Sequence, residues 1–117
     1  MVIVNPSVQA EDIDAQTLGR IYAMQIKNWN DGQPVRVFTF PSNSKVHHQF
    51  VISKMKIQPH QLERLWNRLI FTGTGRTPTV VKNVQEMLQK VKSTPGAIGY
   101  VTDSDVTSDV KVLVIGK

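Results

Sequence analysis

Thr94-Pro95-Gly96-Ala97-Ile98-Gly99-Tyr100-Val101 is the stretch whose reading decides the fold. Its Pro-Gly pair stops a helix and turns the chain, since proline cannot continue the helical ladder and glycine accepts a left-handed turn. Ala97 to Val101 then reads as a short buried strand, and the small residues around Ile98 let that strand run close beneath neighbouring elements. Upstream, Val81, Val84, Leu88 and Val91 fall on one helical face, with Thr77-Pro78 placed to cap the helix. Downstream, the polar run from Thr102 to Asp109 is a loop, and Val110 to Ile115 is a second strand.

The same reading extends to the amino-terminal half. Val2-Ile3-Val4 is a short strand ended by Asn5-Pro6. Leu18, Ile21, Tyr22 and Ile26 share a helical face, and Asp12 or Asp14 stands where a helix start needs a carboxylate to accept backbone N–H bonds. Val35 to Phe40 is apolar and β-branched, which predicts a strand broken by Pro41. Ser42-Asn43-Ser44 offers capping oxygens to a helix over about residues 45–55. Pro59 sits in the first turn of a further helix whose Leu62, Leu65, Trp66, Leu69 and Ile70 follow the spacing of a buried stripe. Phe71 to Arg76 reads as a connection. Helices alternating with strands, with no repeat and no linker, predict an α/β fold in one layered domain over residues 1–117.

Composition bounds the function. The 117 residues suffice for one core, and the absence of cysteine excludes disulfides, thiolate metal sites and thiol catalysis. The net charge of +5 is concentrated: residues 1–31 sum to −2, residues 32–92 to +8 and residues 93–117 to −1. Such an excess favours an acidic or anionic partner, although a solvated basic face is the plain alternative. No apolar run is long enough to span a bilayer, so no membrane insertion is expected. Nucleic-acid binding is not expected either, because the basic region lacks interleaved aromatic residues and any recognisable motif.

Three segments in fixed order resemble one family. They are a Leu-x-x-Ile-Tyr helix running into Lys27-Asn28-Trp29-Asn30-Asp31-Gly32, the Ile70-Phe71-Thr72-Gly73 segment after a tryptophan-bearing helix, and Thr94 to Val101. Together they are similar to the phosphate-binding proteins of ABC uptake systems, over a length that matches one lobe of a type 2 periplasmic binding protein. The resemblance implies a single-lobe, solute-binding protein of the periplasm, with its secretion signal removed ahead of Met1, handling phosphate or another small anion. It implies an ABC transporter or another envelope protein as partner, or a second copy in a homodimer that supplies the missing wall. An interaction module with no bound solute is the rival implication.

The family's binding loop falls on Pro41-Ser42-Asn43-Ser44-Lys45, making Ser42, Asn43, Ser44 and Lys45 the candidate ligand-binding residues. Where that lobe carries an Arg-x-x-x-Ser-Gly-Thr pattern, this chain keeps only the serine, as Ser44. Phe40 stands at the arginine, Lys45 at the glycine and Val46 at the threonine. A lysine offers a point charge in place of a planar fork, so a weak anion site is expected, or simply a capped helix. A second candidate is Thr72-Gly73-Thr74-Gly75-Arg76-Thr77, whose glycines allow an amide nest, though an ordinary loop explains them as well.

No catalytic constellation is apparent, so no enzyme activity is expected. His47 and His48 are adjacent and point about 100° apart on a helix, and His60 lies at no ligand spacing from them. No metal or cofactor is therefore expected. Trp66 reads as core, and Trp29 as a lid or an exposed packing residue.

Overall fold

A computed structural model describes residues 1–73 and 76–116. Its centre is a six-stranded mixed sheet in the order β2-β6-β1-β5-β3-β4. The strands are β1 (Val2–Val4), β2 (Asp12–Asp14), β3 (Arg36–Thr39), β4 (Thr79–Val80), β5 (Ala97–Tyr100) and β6 (Lys111–Gly116). Among the described residues the α-helices are α1 (Ala15–Tyr22), α2 (Lys45–Phe50), α3 (Pro59–Thr72) and α4 (Val84–Ser93). β1 is antiparallel to both neighbours, pairing Ile3 with Gly99 of β5 and with Val112 of β6. β3 runs parallel to β5 and to β4, so three strands end on the same edge.

Alternation along β5 separates two layers of helix. On one face stands Gly99, where an added Cβ would lie 2.5 Å from the Met87 sulfur and 3.0 Å from Val91, both on α4. On the other face Tyr100 stacks on Phe50 of α2 at 3.8 Å between centroids and meets Tyr22 of α1 at 6.1 Å. The small residue foreseen beside Ile98 is thus what lets α4 approach the sheet. Gly96 is more constrained still, with φ of +79° and its Cβ position 2.1 Å from the Pro34 carbonyl oxygen. Asn5 ties the same corner, its side-chain amide donating to the Val91 and Lys92 carbonyls at 2.9 Å each and satisfying the end of α4.

Several details differ from the sequence reading. α1 is capped by Asp14, whose carboxylate accepts from the Thr17 amide, but it ends at Tyr22, leaving Ile26 beyond the helix. Asp12–Asp14 also forms an edge strand, paired in parallel with β6. The helix expected over 45–55 is α2 followed by a π-helical turn, Val51–Met55. Its wider winding brings Phe50, Val51 and Met55 all to the inside. Thr77-Pro78 does not cap α4. The chain stays extended so that Thr79 and Val80 pair with Phe38 and Thr39, and Asn83 caps the helix by accepting from the Glu86 amide. Met87, overlooked as a core residue, is fully buried.

α3 follows its predicted start, with Pro59 in the first turn and Gln58 and Gln61 capping each other's backbone. Leu62 and Trp66 are buried and Leu69 packs against the core, but the stripe is narrower than expected. Ile70 is 64% exposed, and Phe71, still helical, is 93% exposed. Trp29 is neither lid nor surface residue. It is buried, and its indole N–H donates to the Gly96 carbonyl at 2.9 Å.

Candidate functional site

The expected site lies where β3 leaves the sheet. Pro41 has no amide to extend a ladder, and the chain turns with the Ser44 amide donating to the Pro41 carbonyl at 2.9 Å. Ser44 is the N-cap of α2, in extended conformation, and its hydroxyl accepts from the His47 amide at 3.2 Å. The capping role therefore falls on Ser44 itself. His48 holds the turn from outside, its ring N–H donating to the Ser42 carbonyl at 2.8 Å.

Beneath the turn lies a buried polar cluster absent from the sequence reading. The Phe40 amide donates to the Tyr100 hydroxyl at 3.0 Å, and that hydroxyl also meets Thr39 Oγ1 at 2.9 Å and His47 Nδ1 at 2.8 Å. Thr39 Oγ1 also lies 3.2 Å from His47 Nδ1. His47 is completely buried, and among the described residues its Nε2 has no hydrogen-bonding partner. Burial pushes its pKa down, His48 adds to the effect and Glu63 opposes it, so the ring is held neutral. Burial likewise raises the Tyr100 phenol to about 12, although the hydrogen bonds from Thr39 and Phe40 favour its charged form. Tyr100 therefore remains a neutral hydroxyl that fixes the direction in which the chain leaves β3. The available signal was that Thr39 and Tyr100 are polar residues inside otherwise apolar strands.

The four candidate residues do not converge on one point. Ser42 lines a narrow cleft of about 170 Å³ toward α3, with Glu63, Trp66, Asn67 and Thr77 among its other walls. Asn43 and Lys45 line an open groove of about 720 Å³ along the outer side of α2, beside His48 and Gln49. Ser44 stands between, its hydroxyl engaged with His47. Phe40, at the position where the family's pattern has arginine, is buried, and its ring meets the edge of Tyr100 at 5.3 Å. Its side chain belongs to the core and offers no donor.

Trp66 is core, as expected, and its indole N–H donates to the Tyr22 carbonyl at 2.8 Å, tying α3 to α1. In the second candidate segment, Gly73 is the left-handed C-cap of α3, donating to the Leu69 and Ile70 carbonyls. Thr74 and Gly75 lie outside the described residues. Among the described residues, no three His, Asp or Glu side chains come close enough to hold a metal ion. No helix among them is long and apolar enough to cross a membrane.

The mixed sheet, helices on both faces and turn at the carboxyl edge of β3 define one lobe of a binding-protein architecture. The family model of the PBP superfamily domain matches residues 1–114, and the chain belongs to that family. Its fold is that of a lobe of solved phosphate-transport structures. It superposes on an ABC-type phosphate transport receptor from Vibrio cholerae with a TM-score of 0.74 at 21% identity, covering 96% of this chain and 43% of that one. For a Clostridium perfringens structure with bound phosphate, assigned as a phosphate ABC transporter substrate-binding protein, the TM-score is 0.78 at 17% identity, with 97% and 43% covered. For PstS from Borrelia burgdorferi it is 0.71 at 19%, with 97% and 46% covered. The chain thus spans less than half the length of these structures. No curated protein matches the sequence significantly.

Proposed function

We propose that this chain is a single, non-enzymatic solute-binding lobe, one domain over residues 1–117, that receives phosphate or another small oxyanion at the Ser42–Lys45 turn. Its setting would be ABC-type uptake outside the cytoplasmic membrane. The observation that carries this reading is the position of the turn, at the carboxyl edge of the parallel strands β3 and β5, where ligands of open α/β sheets gather. The likeness to phosphate-transport structures, one of them holding phosphate, supports it.

The chemistry sets the affinity expected. Ser42, Asn43 and Lys45 are exposed, and the first-turn amides of α2 have no helical acceptor of their own. Without an arginine fork, and with Lys45 in open solvent, the contacts are few and screened by salt. A dissociation constant on the order of 1 mM follows, corresponding to about 4 kcal/mol. Glu63 beside Ser42 disfavours a fully ionised anion on that side, so the Lys45 side of the turn is the more favourable seat.

Calorimetric titration of phosphate and sulfate at low ionic strength tests this reading. Saturable heat that disappears in Ser44→Ala and in Lys45→Ala is the expected result. No heat, and no rise in melting temperature up to several millimolar anion, would transfer the function to a protein-interaction role.

A further inference from the structure

We propose that the hollow at the opposite end of β3 from the Ser42–Lys45 turn is a second binding site, built for a small amphiphilic anion: an apolar ring or short chain carrying a carboxylate or phosphate. The hollow measures about 560 Å³, within the range of small-molecule sites. Its apolar surface comes from Met24, Ile26, Val35, Val37 and Leu69. Around it stand Lys27 from the segment after α1, Arg36 at the start of β3 and Arg76 from the segment after α3.

Two features separate this site from an ordinary surface dip. First, among the described residues no acidic one lines it and none of the three cations takes part in an ion pair. Three unneutralised cations from three separate segments favour an anion, and the apolar floor favours an attached hydrocarbon body that a bare inorganic ion would lack. Second, Met24 holds a left-handed conformation, φ +64°, at the position after α1 that normally suits glycine. Its amide donates to the Ile21 carbonyl and the next amide, that of Gln25, to the Arg20 carbonyl, which closes the helix end. A methionine in that conformation puts a flexible apolar side chain against the core and in the wall of the hollow.

This site does not depend on the anion-binding reading of the Ser42–Lys45 turn, and its test keeps the two apart. 1-Naphthyl phosphate and 1-naphthoate are titrated by calorimetry into the full chain, with 1-naphthol and inorganic phosphate as the two halves of the ligand. Both naphthyl anions should saturate, and each half alone should bind at least about tenfold more weakly, because charged hydrogen bonds and apolar burial both contribute. Nuclear Overhauser contacts should connect the naphthyl ring to the methyl groups of Met24, Ile26, Val37 and Leu69. Arg36→Gln, or Lys27→Gln as a second exposed variant, should weaken binding about tenfold. Met24→Gly should also weaken it while leaving the melting temperature within a few degrees. Ser44→Ala should leave it unchanged. Contacts to other residues, equal binding of 1-naphthol, indifference to both cation variants, or no saturation at several millimolar would each overturn the proposal.

Discussion

Replacing Gly96 by alanine should destabilise the protein by about 2–5 kcal/mol, the sum of a conformational and a steric cost. The residue holds φ of +79°, which costs an L-residue about 1–2 kcal/mol. Its new Cβ would lie 2.1 Å from the Pro34 carbonyl oxygen, a backbone atom that cannot swing aside as a side chain would. Relief requires the β3 entry and the α4–β5 turn to separate, straining the bonds that the Gly96 carbonyl accepts from the Arg36 amide and the Trp29 indole. Displacements of this kind cost about 1–3 kcal/mol. Gly32→Ala supplies the control, because its φ of +88° carries the conformational cost while nothing lies within 4 Å of its Cβ position. Any loss of unfolded-chain entropy is common to both variants and cancels in the comparison. In urea, Gly96→Ala should lower the midpoint by roughly 1–2 M with an unchanged slope, and Gly32→Ala by distinctly less. Equal shifts for the two variants would refute the close approach and, with it, the reason offered for the Pro95-Gly96 pair.

Other expectations follow from the cap, the buried histidine and the indole. Ser44→Ala removes the N-cap of α2 and should cost about 1 kcal/mol in urea unfolding, whereas Ser42→Ala, an exposed residue, should cost almost nothing. His47 has a folded pKa below its usual 6.5, so the unfolded chain binds the proton first as pH falls. Its contribution to stability is therefore whole above about pH 6.5 and declines as pH drops from there toward the lowered folded value. Unfolding free energies between pH 8 and pH 5 should show this decline in the native chain and a shallower one in His47→Asn; identical profiles would contradict a neutral buried ring. Trp66→Phe keeps most of the ring but leaves the buried Tyr22 carbonyl without its donor, a loss of about 1–3 kcal/mol by thermal or urea unfolding.

The parts of the fold that were legible in the sequence are those with a strong local pattern. β1 and β5 are short runs buried on both sides, and α3 carries its proline start, although it runs through Phe71 and Thr72, which read as connection. β2 and β4 were illegible because an edge strand of two or three residues has no periodicity to read. Asp12-Ile13-Asp14 becomes a strand only because β6 lies alongside, and Thr79-Val80 only because β3 leaves an edge open. The narrowing of the α3 stripe has the same origin, since spacing places Ile70 on the apolar face while only packing decides where that face runs out.

At the candidate site the helix start after Ser42-Asn43-Ser44 was readable, but the division of the turn was not. Ser42 and Lys45 are three residues apart in sequence, yet they line different hollows, because the helix start lies between them. The cluster of Thr39, His47 and Tyr100 escaped for a different reason. Its members come from β3, α2 and β5, and no spacing relates residues that meet only through the sheet and its covering helix. His47 carried weight in the sequence only as a possible metal ligand, whereas in the fold it anchors the first turn of α2 from inside.

Whether a small oxyanion settles at the turn after β3 can be read from the backbone amide resonances of the full chain during a phosphate titration at low ionic strength. Saturable shifts are expected on the amides of Asn43 to His47, with smaller ones at Tyr100 and none at Met24 or Arg36. Shifts centred elsewhere, or a uniform drift that does not saturate, would contradict it.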